Sequence, residues 1–501
     1  MHNSGLTRSP LLFLFLMFLF GFQGKAAIQE LQHYSAAIHV HSTFSNGEYE
    51  VSELAGFARE RNIDVLVLTD SFLTTVVYGI WPFDRIAVEG INKRVRPGVR
   101  DYGIGAYFAA VREAQRQFPD LVILPGVEVT PFYYWKGEPW IEPTLYNFDR
   151  HLIVLGLTER QLENLPVIGN ETWDNTVINW TLILVPSGIF LCGILLLVSG
   201  SYLKVHLRDY TILRKQRPWA AATSVMLLAL LLAWNNYPFG RLGDPHSGQQ
   251  DILPYQRVID YVRNRGGVVY WSYPEARYPD VQMGGAKMVS QPHPEDLLLT
   301  DGYHGFEGIY GDRITATLPG RAWDLALNRY IEGWRRTPPF VTTGINFHDF
   351  KGNRGSWYDL DGGQTILLMP EKSEAAVLEA LRKGSGYATF QEGEQKLRLH
   401  QLSVETFEGA KAFQGGEVEG QSPVQVHIHL DWLHNPPEED RPFRLELIRN
   451  GEVVEQVEQF LPIRITSTQK LPSGRYYFRM RARWRGTVYR VLSNPVFVTV
   501  P

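Results

Sequence analysis

The chain has one cysteine, Cys192, and it lies inside an apolar run. An intrachain disulfide needs two cysteines, so none can form, and cysteine-type zinc sites are excluded for the same reason. Any metal must therefore be held by histidine and carboxylate. A basic excess is also lacking: 49 Lys and Arg face 53 Asp and Glu, a formal charge of −4. No dense Lys/Arg stripe with interleaved aromatics appears outside one short loop, which argues against a nucleic-acid partner. Nothing reads as disordered, since 44% hydrophobic and 20% charged is the balance of folded protein. At 501 residues the chain exceeds what one core ordinarily supports, so two or more domains are expected.

Long hydrophobic runs, by contrast, are present. The first, Leu11 to Phe22, follows Arg8 and precedes the small residues Gly24, Ala26 and Ala27, the layout of a secretory signal or N-terminal anchor over 1–27. Two more, Val177 to Leu203 and Trp219 to Tyr237, each approach the roughly 20 residues needed to cross a bilayer and read as a transmembrane hairpin over 177–237. The loop 204–217 between them carries Lys204, Arg208, Arg214, Lys215 and Arg217, whereas the outer flanks carry Glu171, Asp174 and Asp244, with Arg241 as the exception. Basic loops stay in the cytoplasm. The expected protein is thus multi-pass in the inner membrane, with its large parts on the periplasmic side.

On either side of the hairpin the text alternates strand-like and helix-like patterns. Before it come Ala36 to His41, Val51 to Arg61, Val65 to Asp70, Tyr107 to Phe118, Leu121 to Val129 and His151 to Leu157. After it come Ile252 to Arg265, Gly267 to Ser272, Gly305 to Tyr310, Ala322 to Trp334, Phe340 to Asn346 and Ser373 to Lys383. Such β/α alternation predicts a mostly parallel sheet or barrel, in two parts, 28–176 and 238–395. From 396 to 501 the signals change to short strands and turns, among them Asn450-Gly451, and predict an immunoglobulin-like β-sandwich. The arginines from Arg475 to Arg485 alternate along one of its strands and read as a wet face.

Metal-type side chains collect at the ends of the predicted strands, where β/α folds carry chemistry. The first strand holds Ile38-His39-Val40-His41; alternation in an extended strand points both imidazoles the same way. His-x-His alone says little, because Val426-His427-Ile428-His429 repeats it where solvent-facing histidines are expected. Other strands end in Asp70, in Glu128, and in Asn346 with His348 just beyond. Capping explains a lone carboxylate at a strand end, but not four strand ends in register. His151 sits at the start of its strand and by position alone reads as an ordinary, partly buried histidine. His304 and Glu307 read equally as site lining or as a strand-terminal polar pair. Arg277 and Arg354 are candidate anion forks, and His293 and His400 show no partner along the sequence.

Taken in order, His-x-His-Ser-x-x-Ser-Asn-Gly (39–47), the apolar-Thr-Asp of Thr69-Asp70, Pro-Gly-x-Glu (125–128), His-Leu-apolar-apolar-Leu-Gly (151–156) and Gly-x-Asn-x-His (344–348) resemble the polymerase and histidinol phosphatase (PHP) superfamily. The resemblance covers roughly 36–156 and 266–352. It implies a distorted TIM-like β/α barrel and one or two divalent ions, zinc, manganese or iron, used to hydrolyse phosphoesters. It further implies that His39, His41, Glu128 and Asn346 hold a first metal and that Glu128 bridges to a second with His151. Asp70 would orient or deprotonate a water, and His348 would protonate the leaving group. Four departures thin the site: Ser71 and Tyr273 stand where the family has histidines, and Asn46 and Asn346 where it has aspartates. A third metal site is not expected. The resemblance supports a membrane-anchored hydrolase acting outside the cytoplasm on an unidentified ester. The alternative is a degenerate barrel serving as an envelope binding or scaffold protein through its β-sandwich.

Overall fold

The computed structural model describes residues 31–501 except 77, 81–82, 88–92, 95–96, 138–140, 241, 247, 284, 312–313, 350–358, 391–395, 435–440 and 485–489. The expected signal segment 1–27, with Arg241, Arg354 and Arg485, lies outside the described residues.

The N-terminal α/β unit is built on nine strands: β1 (Gln32–Val40), β2 (Val65–Ser71), β3 (Val122–Val129), β4 (Leu152–Leu155), β5 (Val268–Trp271), β6 (Gly305–Ile309), β7 (Phe340–Thr343), β8 (Gly363–Met369) and β9 (Gly386–Phe390). Helices fill the connections. In α1 (Val51–Glu60) the residues Val51, Leu54, Ala55 and Ala58 are buried, the one-sided stripe of a helix laid on a sheet. Its start is secured by a capping box in which Glu53 reaches back to the Glu50 N–H at 2.9 Å. The helices α2 (Ile104–Gln117) and, beyond the two helices of the inserted segment, α5 (Leu253–Arg263) bury equivalent stripes.

The strands follow one another in space as β7-β6-β5-β4-β3-β2-β1-β8-β9. The pairs β1–β2, β2–β3, β5–β6 and β6–β7 are parallel. The expected parallel sheet is broken at β4, which runs antiparallel to both β3 and β5, and β8 runs antiparallel to β1. The two ends of this run meet. Past β7, the Phe347 N–H donates to the His39 carbonyl at 3.0 Å and the His41 N–H donates to the Phe347 carbonyl at 2.9 Å, so the chain beyond β7 lies against β1.

The inserted segment contains α3 (Trp180–Val198) and α4 (Trp219–Asn236), two helices long and apolar enough to cross a membrane. At 19 and 18 residues they are about 28 and 27 Å long. Most of their apolar side chains, including Leu184, Leu191, Leu230 and Leu231, are exposed. They pack closely at Gly193, where an added Cβ would stand 2.5 Å from Met226 Cγ. The apolar pattern runs to Leu203 and predicts a loop over 204–217. The helix instead stops at Val198, and Ser201–Leu207 pairs with Tyr210–Gln216 as a β-hairpin carrying the basic residues. β-Branched and aromatic residues alternating with basic ones suit a two-stranded ribbon better than a continuing helix.

After α6 (Ala322–Ile331) and α7 (Glu374–Lys383), the second of which packs on β8, the chain enters a C-terminal β-unit. Its strands are β10 (Leu397–Glu405), β11 (Val424–Trp432), β12 (Phe443–Arg449), β13 (Glu452–Gln459), β14 (Ile463–Gln469), β15 (Gly474–Trp484), β16 (Val491–Ser493) and β17 (Val496–Val500). One layer, with β10, β11 and β14, faces the other across a core that includes Leu402, Val426, Leu445, Phe478 and Met480. The second layer is not separate from the α/β unit. Strand β9 pairs with β16, and the sheet continues β16-β15-β12-β13.

The arginines of β15 correct the wet-face expectation. Arg479 is fully buried and donates to Asp324 of α6 from Nε at 2.7 Å and from a terminal nitrogen at 2.6 Å; Arg481 is buried against Glu446. Tyr477 also donates to Asp324, at 2.9 Å, and the Arg479 guanidinium lies 4.4 Å over the Trp323 ring. Alternation was read correctly, but β15 is a central strand with the α/β unit packed on its other face. Arg479→Ala leaves Asp324 buried without its partner, and is expected to cost about 3–5 kcal/mol in denaturant unfolding. Because Asp324 belongs to one unit and Arg479 to the other, both units should lose stability together.

Candidate metal centre

The site is assembled where β1, β2, β3, β5 and β6 end. Strand β1 does not reach it as a regular strand: its register against β2 shifts between Ile38 and Val40, and His39 has φ of 77°. A bulge at His39, rather than plain alternation, therefore aims the imidazoles. The rings of His39 and His41 come to 5.1 Å, centroid to centroid.

Both imidazoles are buried, and in each Nδ1 is tied while Nε2 is not. His39 Nδ1 donates to Glu307 Oε1 at 2.8 Å, and His41 Nδ1 donates to Ser45 Oγ at 3.2 Å. A tied Nδ1–H leaves the lone pair on Nε2. These two Nε2 atoms are buried without a hydrogen-bond partner, and both face Glu128: His39 Nε2 stands 3.3 Å from Oε1 and His41 Nε2 3.9 Å from Oε2. Donor atoms of His39, His41 and Glu128 all lie within 4.8 Å of one another. Two inward nitrogen lone pairs beside a carboxylate are the donor set of a divalent ion, and each nitrogen has the outer hydrogen bond that orients a ligating histidine. The residues present fit such an ion.

His151 joins through the same carboxylate, its Nδ1 2.9 Å from Glu128 Oε1. Its awkward place at the start of a strand is explained by β4 running antiparallel. Ile153 pairs with Glu128, so the N-terminal end of β4 lies beside the C-terminal ends of β3 and β5. Next to it Arg150 forks onto Asp296, with Nε 2.6 Å from Oδ2, and stacks over Tyr255. That anchor fixes the backbone from which His151 projects.

Asp70 is fully buried, and donors occupy both its oxygens: the Ser42 N–H at 2.7 Å and Ser45 Oγ at 2.6 Å on Oδ1, and Ser42 Oγ at 2.8 Å on Oδ2. Burial pushes its carboxyl up to about 6 against the pull of the two serines. Asp70 therefore reaches the centre through Ser45, which donates to Asp70 and accepts from His41. His348 stacks on His41 at 4.3 Å, and its Nε2 lies 2.9 Å from Asn346 Oδ1. Asn346 thus turns its side-chain oxygen to His348. Tyr273 stacks on His39 at 4.9 Å.

Glu307 is the residue the sequence left undecided. It is fully buried; Oε1 holds His39, and Oε2 accepts from Ser272 Oγ at 3.1 Å and from the Tyr273 N–H at 3.3 Å. Ser272, whose single hydroxyl proton is shared with Glu128 Oε1 at 3.2 Å, was missed. The signal for Glu307 was its place three residues into Gly305–Ile309, at the inward-facing end of a strand. His304, its companion in the sequence, belongs to the far end, where Nδ1 accepts from the Val269 N–H.

The charges follow from this packing. Burial opposes a charge on His39, but Glu307 and Glu128 outweigh it and lift its imidazole to about 10, so at neutral pH Nε2 carries a proton toward Glu128 that an incoming ion would displace to reach the lone pair. Burial and the neighbouring His348 and His39 hold His41 well below the ordinary value. Glu128 is held well below the carboxylate range because His151 and His39 overcome the effect of burial. Ionised Glu128, and two histidines whose Nε2 atoms face it, form a compact cation-seeking cluster.

No family model and no curated protein matches the chain. Solved structures similar to it include a two-domain protein containing a predicted PHP-like metal-dependent phosphoesterase from Bacteroides vulgatus, at 12% identity over 90% of each chain with a TM-score of 0.35. Another is a proposed metal-dependent phosphoesterase from Bifidobacterium adolescentis, at 14% identity over 65% of this chain and 92% of that one, TM-score 0.27. A third is an amidohydrolase from Chromobacterium violaceum with bound sulfate, at 15% identity over 63% and 88%, TM-score 0.27. PHP-like metal-dependent phosphoesterases thus stand among the structural neighbours, at identities and TM-scores that carry no chemistry across.

Glu307→Gln keeps the shape of the acid but can present an amide N–H to His39 Nδ1, which favours the tautomer with its lone pair turned away from Glu128. Retention of zinc against a competing chelator is expected to fall about 10- to 100-fold. Unchanged retention would mean that Glu307 does not set the His39 tautomer.

Proposed function

We propose that this protein is a PHP-type metal-dependent hydrolase, anchored in the inner membrane, that cleaves a phosphoester on the periplasmic side. The observation that carries the reading is the pair of buried, partnerless Nε2 atoms on His39 and His41 beside the Glu128 carboxylate. In this reading the curled α/β sheet is a distorted TIM-like β/α barrel, interrupted by the helix pair, and the C-terminal unit is an immunoglobulin-like sandwich. The exposed apolar surface of α3 and α4 and the basic hairpin between them support the anchoring and its orientation.

His39, His41 and Glu128 would hold a first zinc, manganese or iron ion, and Glu128 with His151 a second. Such an ion supplies Lewis acidity and a nucleophile at neutral pH. The chain's own residues do the rest. Glu307 and the Asp70–Ser45 pair hold the two imidazoles with their lone pairs inward. Burial of Glu128 keeps its charge unscreened by water. His348, stacked on His41 and held by Asn346, would protonate the leaving group.

Two features favour the alternative, a degenerate barrel acting as an envelope scaffold. Tyr273 covers His39 where the family has a histidine, and Asn346 brings no charge to the first metal. The readings separate in one preparation. Full-length protein purified in detergent without chelator is expected to carry stoichiometric metal and to turn over phosphomonoesters or phosphodiesters with added manganese or zinc. His41→Ala should lower that turnover by more than about a hundredfold, and Asn346→Asp should tighten metal binding by restoring the missing charge. Metal-free protein with no activity across the panel would leave the scaffold.

Topology is checked separately. With Cys192 replaced by serine, a cysteine at Asp209 should react with an impermeant maleimide only in inverted vesicles. Labelling in intact spheroplasts would reverse the orientation.

A further inference from the structure

A second convergence of ligand side chains lies on the outer face of the C-terminal unit, far in sequence from the first. Strand β10 pairs with β11 so that Leu399 faces Leu430 and the next pair is Gln401 with His429, which leaves His400 as an extra residue bulged from β10. A bulge re-aims a side chain. Here it brings His400 over the outward row of β11, where His429 and Asp431 alternate with the buried Ile428, Leu430 and Trp432. The rings of His400 and His429 stack at 4.6 Å and 22°, and donor atoms of His400, His429 and Asp431 all lie within 4.8 Å of one another.

We propose that His400, His429 and Asp431 form a surface site for a divalent transition ion of borderline softness, Zn2+, Cu2+ or Ni2+. Two imidazoles and one carboxylate select such ions over calcium or magnesium, which require oxygen ligands. The exposed position leaves further coordination places to water. One neighbour competes for the same lone pair: Arg464 Nε donates to His429 Nε2 at 3.2 Å. That bond fixes the proton of neutral His429 on Nδ1 and keeps Nε2 available as an acceptor, and Arg464 is an exposed side chain free to withdraw. Asp431 spends one oxygen on the Trp432 N–H at 2.7 Å, which holds its carboxylate at the strand surface.

The test uses full-length protein without a histidine tag, titrated with Zn2+ and, separately, with Cu2+ as a spectroscopic probe. His400→Gln combined with His429→Gln, both at the surface, should bind one equivalent of Zn2+ fewer than the parent, whether or not the centre at Glu128 is filled. With the centre at Glu128 first filled with Zn2+, the spectrum of one added equivalent of Cu2+ should show nitrogen hyperfine structure in the parent that the double variant loses. Arg464→Gln should tighten Zn2+ binding several-fold by freeing Nε2, a change that a merely structural histidine pair would not produce. Equal stoichiometry and equal spectra in parent and double variant would overturn the site, as would binding seen only at millimolar metal. An Arg464→Gln affinity no tighter than the parent's would overturn the assignment of His429 Nε2 as a ligand.

Discussion

A single buried carboxylate, Glu128, is the point on which the α/β unit converges. Histidines from two strand ends, His39 and His151, and a third just beyond, His41, direct nitrogen at its two oxygens, and Ser272 donates to one of them. A buried charge without such company would protonate or drag its surroundings apart. Glu128 stays ionised because the histidines outweigh the effect of burial, and the histidines are held in place by groups of their own. The centre is therefore two shells deep: Glu307 and Ser45 fix the imidazoles, and Asp70 fixes Ser45.

Backbone strain has gathered at the same spot. His39, Tyr273 and Asn346 all adopt positive φ, at 77°, 42° and 45°, although none is glycine. Left-handed backbone is costly for residues with a Cβ and persists where surrounding bonds over-determine it. Those bonds are visible here: Glu307 grips His39 and the Tyr273 N–H, while the Phe347 backbone holds the His39 carbonyl and the His41 N–H. The strain is balanced by the same hydrogen bonds that shape the centre, so substrate-side geometry and local stability are not independent.

Much of this was legible from residue order. Helices with buried stripes, such as Val51–Glu60, announce themselves through periodicity, and strand ends rich in His, Asp and Glu stand out because apolar runs rarely terminate that way four times over. What escaped was whatever depends on strand direction and neighbours. His151 looked misplaced only because β4 was taken as parallel. The convergence of His39 and His41 was foreseen, but through plain alternation instead of a bulge. The three hydrogen bonds that Asp70 accepts, two of them from the Ser42 and Ser45 hydroxyls, come from a loop that only folding brings to it. Arg479 looked wet because nothing local says that Asp324, 155 positions earlier, is waiting for it.

The pairing of β9 with β16 has a consequence for how the chain can be divided. Where domains are joined by a linker, one may be removed and the other left whole. Here the C-terminal unit supplies hydrogen bonds to Tyr387, Ala388 and Thr389 that nothing else replaces. A chain ending near residue 395 would present β9 as an open, largely apolar edge, the kind of template that recruits strands from other molecules. Whatever else it binds, the C-terminal unit serves the α/β unit as an edge guard, closing a sheet that would otherwise grow by aggregation.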